Sequence, residues 1–140
     1  LKTIQFKVEE KFELKAFAVV SSERNYRFCW LMNNHLNIQL AKNNDHIIFG
    51  DKGSEFRFDK YSYYSETDHI HYHLLKNKGE DAVLLPEFKQ VDYILVMSGE
   101  IWQLNDSEIK NKLLAINQVQ WANLLDVNGL KSKHNFIIDE

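Results

Sequence analysis

The segment DHIHYHLL, residues 68–75, sets His69, His71 and His73 at every second position. Imidazole is the commonest side-chain metal ligand, and a strand presents alternate residues on one face. The pattern therefore raises a metal site, and with it a metal-dependent enzyme. Strand geometry restricts that reading. Residues two apart lie about 6.5–7 Å from one another along a strand, so the outer pair is separated by about 13 Å. Two of the three could share an ion, but a zinc site would need further ligands from elsewhere. Asp59, Glu66, Asp68 and His46 are candidates, and no spacing selects among them. The plainer expectation is a hairpin strand with Ile70, Tyr72 and Leu74 turned to the core and the three histidines to solvent. No metal ligand and no cofactor is assigned on this pattern.

Other reactive types are sparse. Cys29 is the single cysteine, so no disulfide can form within the chain; its setting in RFCWLM is that of a small buried hydrophobe. Glycine-rich phosphate loops, HExxH, paired CxxC and GxSxG are all missing. No residue is therefore given a catalytic role, and the expectation leans away from an enzyme. Tyr61, Tyr63, Tyr64 and Tyr72 form an aromatic cluster that would suit base stacking on an exposed sheet, as in RNA-binding modules. The same residues would suit a protein interface or hairpin packing.

Charge weighs between those two. The formal net charge is −3, with lysine and arginine scattered along the chain rather than massed on one element. Phosphate neutralisation supplies most nucleic-acid affinity, so the composition argues against a polyanion partner and ranks a protein interface above RNA. A 44% hydrophobic content places the chain among folded proteins. YILVM and similar apolar runs are too short to span a bilayer, and the first residues lack the apolar stretch of a signal peptide. The expectation is a cytoplasmic protein that does not engage the membrane.

The elements that would position these residues read as one α+β domain over residues 1–140. KTIQFKVEE alternates Ile4, Phe6 and Val8 as a half-buried strand, and FELKAFAVVSS reads as a strand buried on both faces. Ser21 and Ser22 supply N-cap chemistry for a helix over 22–36. Its apolar stripe would run through Tyr26, Cys29, Trp30, Asn33 and Leu36, widened by Phe28, Leu31 and Met32. Asn37 would make a left-handed exit. NIQLA, HIIFG, SEFRFDKYSYY, HIHYHLL and AVLL then read as strands, with a turn at GDKG and a bend near Asp59 where the aromatic parity switches. VDYILVMSGE, NDSEIKNKLLAI and QVQWANLLDV read as a β-α-β unit, which would make 91–97 and 119–125 neighbours or near neighbours in one sheet. HNFIID would end the chain as a short strand or docked tail. The sum is a mostly antiparallel sheet with two main helices on one face.

One nine-residue stretch stands apart. In LPEFKQVDY, Leu85 to Tyr93, Pro86 fixes its own φ and holds Leu85 extended, so a turn follows before the next strand begins. On that strand Val91, Tyr93, Leu95 and Met97 would share one face, and Asp92, Ile94 and Val96 the other. A carboxylate opening an apolar face needs hydrogen-bond partners, and the N–H groups of the preceding turn are the nearest. The sharper alternative pairs Glu87 with Asp92 as acid/base or metal carboxylates. Pro86, Glu87, Val91, Asp92 and Tyr93 stand at the spacing of the signature that names the IPExxxVDY family of small bacterial proteins, known chiefly from Bacteroidetes. Leu85 replaces the isoleucine without loss of size or apolarity. RNYRFCWLMN and LLKNK also resemble the family's first helix and mid-chain strand end. The resemblance covers most of the chain and implies no activity.

Taken together, the leading expectation is a non-catalytic accessory module that binds an unidentified protein partner or a second copy of itself. The signature residues would have a structural or interaction role. An RNA-associated protein using the tyrosine hairpin, and a metal enzyme built on the histidine strand, are the alternatives.

Overall fold

The computed structural model describes residues 13–138. The strand expected over residues 4–8 lies outside them. Within them the chain is α+β. Eight strands and two helices follow in the order β1 (Leu14–Val20), α1 (Asn25–Leu36), β2 (Ala41–Lys42), β3 (His46–Phe49), β4 (Glu55–Phe58), β5 (Lys60–Ser65), β6 (Ile70–Lys76), β7 (Tyr93–Gly99), α2 (Asp106–Leu114) and β8 (Trp121–Leu124). The main sheet has the order β2-β5-β6-β7-β1-β8, and every neighbouring pair is antiparallel. β3 and β4 form a separate two-stranded hairpin. Among the described residues no helix is long and apolar enough to cross a membrane.

The sheet is covered on both faces. On one face Phe17, Val19, Leu74, Leu95 and Met97 pack beneath Phe28, Leu31 and Met32 of α1 and Ile109 and Leu113 of α2. On the other, Ala16, Ala18, Leu75, Ile94 and Val96 meet Phe58 of the hairpin, Leu84, Leu85 and Val91 of the signature loop, and Val127 and Phe136 of the C-terminal tail. This double cover is why β1 reads as a nearly unbroken apolar run: successive side chains point to opposite faces, and both faces are interior. Alanines on the second face let the loops approach closely. Burying one large apolar side chain contributes about 1.5–3 kcal/mol, so the two layers supply the main driving force.

Several sequence expectations change here. α1 starts at Asn25, and its N-cap is Arg24, which makes no side-chain capping bond. Ser21 lies too early to cap: its hydroxyl accepts from the Glu23 N–H at 3.2 Å and donates to the Gln118 carbonyl at 2.7 Å. The buried face of α1 is Phe28, Cys29, Leu31 and Met32, which turns Tyr26 and Trp30 outward. The helix ends as expected, with Asn37 left-handed at φ 55°. NIQLA contributes only Ala41 to the sheet, in the two-residue β2 that it forms with Lys42. AVLL is not a strand; one isolated bridge joins Lys78 to Val83, and Leu84 and Leu85 are buried in loop. The bend at Asp59 separates β4 from β5 and carries the chain from the hairpin layer into the main sheet. β7 and β8 are near neighbours with β1 between them, and α2 is capped by Asn105, whose side chain accepts from the Glu108 N–H. The tail docks through the 3-10 turn Lys133–Phe136, with Phe136 buried.

Gly99 closes β7 at φ 96°, and a Cβ there would stand 2.3 Å from the His69 carbonyl oxygen. Gly53, at φ 79°, has nothing within 4 Å of the same position. Gly99→Ala should therefore cost about 2 kcal/mol or more, from backbone strain and steric clash together, and Gly53→Ala about 1 kcal/mol, as read by urea unfolding.

Candidate functional site

The signature segment is built around Asn77, the residue just after β6 and fully buried. Its amide nitrogen donates to the carbonyls of Phe88 and Val91, each at 2.8 Å, and its amide oxygen accepts from the Leu85 N–H at 2.9 Å. Its backbone carbonyl accepts from Leu84 at 2.7 Å, and its N–H donates to the Asp92 carbonyl at 2.9 Å. One side chain thus satisfies three backbone groups of a loop that has no ladder partner. Pro86 opens the 3-10 turn Pro86–Phe88 at a position where no N–H is required. Val91 precedes the ladder, which begins at Tyr93, and so packs in the loop-side layer rather than with Tyr93, Leu95 and Met97.

Glu87 and Asp92 are directed to different parts of the chain. Glu87 receives the N–H and hydroxyl of Ser132, at 3.0 and 2.6 Å. Partial burial pushes its pKa up, and the bonds from the Ser132 hydroxyl and N–H, with the N–H groups of Glu87 and Lys131, outweigh it and lower the value below the usual 4.5. Asp92 accepts from the Ser21 N–H at 2.9 Å and lies 3.4 Å from the Lys78 ammonium. The N–H that satisfies it belongs to the end of β1, not to the turn immediately before it. Tyr93 donates its hydroxyl to the Glu23 carbonyl at the entrance to α1 and lies 3.2 Å from the side-chain oxygen of Asn25. Its ring stacks on Phe28 with centroids 4.3 Å apart. Burial, then the neighbouring Asp92, Tyr61, Glu23 and Asp59, push its pKa far up, so it remains a donor at any physiological pH. Three consecutive contacts therefore tie one loop to the C-terminal tail, the end of β1 and the start of α1.

The histidines are not the exposed row that alternation implies. His69 sits in the turn before β6 at φ 57°, its Nδ1 3.0 Å from the Tyr64 hydroxyl. His71 is half-buried, its ring tilted by 35° against that of Tyr64 with centroids 4.3 Å apart. His73 is buried, because the face opposite the helices is itself covered, and its Nδ1 bonds the Ser62 hydroxyl at 2.7 Å. Asp59 pairs instead with Asn25 and lies near Lys42, and His46 Nε2 meets the Asn135 carbonyl at 2.6 Å. Among the described residues no group of three or more His, Cys, Asp or Glu is placed to hold a metal ion.

The tyrosines divide between the faces. Tyr61 is buried in the helix-side core, and Tyr63 and Tyr72 stack on each other against it at 5.9 Å. Tyr64 alone of the four is exposed. Cys29 is buried, its sulfur 3.4 Å from the Leu40 carbonyl; burial raises the thiol pKa against a lowering hydrogen bond from Asn33, which suits packing and not nucleophilic attack.

What the sequence reading missed is Asn77 and the outward tryptophans. A lone uncharged amide at the end of the apolar run Leu74–Leu75 was the available sign of the first. The outward tryptophans left no sign, because Tyr26 and Trp30 share a helical spacing with true core residues.

Asn77→Ala leaves the Leu85 N–H and the Val91 carbonyl without partners, while the Phe88 carbonyl keeps the Val91 N–H, and should cost about 3 kcal/mol in chemical denaturation, against about 1–2 kcal/mol for Tyr93→Phe. For Glu87 the lowered pKa of the folded state means stability that is whole above about pH 4.5 and lost as pH falls through the folded value. Glu87→Gln should be less stable than wild type near neutral pH and equal to it at about pH 2, in paired urea titrations across that range. Comparison of the chain with family models, with curated proteins and with solved structures returned no match.

Proposed function

We propose that the chain is a non-catalytic protein-binding module that contacts its partner through the outer face of α1. The observation that carries this reading is that all three tryptophans are outward: Trp30 is 58%, Trp102 80% and Trp121 40% exposed. Tryptophan side chains bury 150–250 Å² of surface when covered, so leaving all of them in water forgoes stabilisation that the core could have used. On α1, Tyr26 is 75% exposed one turn before Trp30, and the Arg27 guanidinium lies 5.8 Å from the Trp30 ring centre. Tryptophan, tyrosine and arginine are the residue types that dominate binding energy at protein interfaces.

The signature segment supports this reading as a frame. It holds the start of α1 through Tyr93, while Tyr26 and Trp30 stay exposed. Its resemblance to the IPExxxVDY signature belongs to the same proposal, as does a cytoplasmic location, which fits a single buried thiol. Tyr61, Tyr63 and Tyr72 are packed against the helix-side core, which deprives the RNA reading of the stacking platform it required.

The test is affinity capture from the native organism with immobilised wild-type chain and with the Tyr26→Ala/Trp30→Ala variant. Wild type should retain a stoichiometric protein that the variant loses at least tenfold, with thermal stability unchanged because both side chains are exposed. Equal retention by the two proteins would overturn the assignment of α1.

A further inference from the structure

We propose that the groove between the β3–β4 hairpin and the turn at residues 79–82 binds a free basic amino acid. The ligand's carboxylate meets Lys76, and its two cationic groups face Glu80 and Asp81. The groove has a volume of about 510 Å³, within the range of about 300–1,000 Å³ that small-molecule sites occupy. None of its lining residues belongs to α1, so the site stands apart from the proposed protein interface.

Charge decides the ligand class. Five carboxylates and three cations line the groove, and most of them are already paired. Arg57 meets Glu55 at 2.9 Å, Lys42 reaches Asp45 at 2.9 Å and Asp59 at 3.7 Å, and Lys78 lies 3.4 Å from Asp92. Among the described residues this leaves one lining cation, Lys76, and two lining carboxylates, Glu80 and Asp81, without an ion-pair partner. Lys76 is half-buried at the end of β6, whereas Glu80 and Asp81 are exposed on the turn. A half-buried ammonium gains more from a carboxylate than an exposed one does, because water and salt screen it less. A ligand with one carboxylate and two cationic groups answers all three side chains. A polyanion would meet the excess of acids, and a plain diamine would leave Lys76 unanswered. Phe56 adds an aromatic wall, a surface that attracts cations.

The walls are set before a ligand arrives. The turn is closed by the Gly79 N–H, which donates to the Ala82 carbonyl at 2.8 Å, and by the bridge between Lys78 and Val83. A Cβ on Gly79 would stand 2.7 Å from the Arg57 carbonyl oxygen, so the turn lies directly against β4. Asn77 precedes the turn, and its carbonyl and side-chain oxygen accept from the Leu84 and Leu85 N–H groups on the far side. At the floor, the Lys76 N–H donates to the Asp59 carbonyl at 3.0 Å. A preformed groove spares the ligand the cost of ordering it.

Amide chemical shifts of the isotope-labelled chain, titrated at constant ionic strength with L-lysine, cadaverine and L-norleucine, test this. L-Lysine should give saturable shifts confined to residues 55–59 and 76–82, with a dissociation constant of about 1 mM, because exposed ion pairs contribute little each. Cadaverine lacks the carboxylate and L-norleucine the second cation, and each should bind about fivefold more weakly or worse. Lys76→Met should bring L-lysine to the level of cadaverine, and Glu80→Gln/Asp81→Asn should bring it to that of L-norleucine. The turn variant changes only exposed positions and keeps the test decisive if Lys76→Met lowers stability. No saturable shift by about 20 mM L-lysine, shifts elsewhere on the chain, or equal binding of the three compounds would overturn the proposal. So would a Lys76→Met chain that still prefers L-lysine to cadaverine.

Discussion

An amide with no access to water organises this molecule. Between β6 and β7 the chain makes an excursion of sixteen residues, 77–92, that crosses the loop-side face without a strand partner for most of its length. Backbone groups buried under such a loop would each cost about 1–3 kcal/mol if left unpaired. Asn77 resolves the problem at one point, because its planar amide carries both donors and an acceptor and can imitate a missing strand edge. Asn33 repeats the device on a smaller scale, holding both the N–H and the carbonyl of Leu40 after the end of α1. In both places an asparagine stands where a ladder hydrogen bond would otherwise have to be.

With the loop held, Glu87, Asp92 and Tyr93 acquire their partners from far along the chain. Ser132 reaches Glu87, Ser21 reaches Asp92, and Glu23 reaches Tyr93. The Asp92 bond lies just past the end of the β1–β7 ladder, and those of Glu87 and Tyr93 reach segments outside the sheet. The loop acts as a junction at which the tail, the end of β1 and the entrance to α1 are set relative to one another. Carboxylates suit that role because each oxygen can accept more than one bond, and bonds to a charged acceptor are stronger than neutral ones.

Local patterns foretold much of this fold. The double-faced run of β1, the Asn37 exit, the Asp59 bend and the two helices over one face were all readable from residues within a few positions. What escaped depends on distant partners. AVLL has the apolarity of a strand, but Asn77 and Asn135 take the hydrogen bonds that a strand would have made. In α1 the 3.6-residue period fits two overlapping stripes, and only the position of the sheet decides that Phe28 and Met32 are inside while Tyr26 and Trp30 are not. The histidine row failed as a surface because a second layer covers that face, and nothing in residues 69–73 records it. Asp92 was correctly read as needing hydrogen bonds, but its donor at Ser21 had no local trace.

The place of β1 in the sheet has a consequence for how the protein comes into being. Ala18 pairs with Ile94 on one side and with Asn123 on the other, so an early strand is enclosed by two that are synthesised late. During translation β5 and β6 can pair as a hairpin while β1 still waits with both edges open. Non-local pairings of this kind slow folding, and an apolar strand with two free edges invites association with other chains. The most vulnerable interval in the life of the molecule should therefore be the one before β7 and β8 emerge.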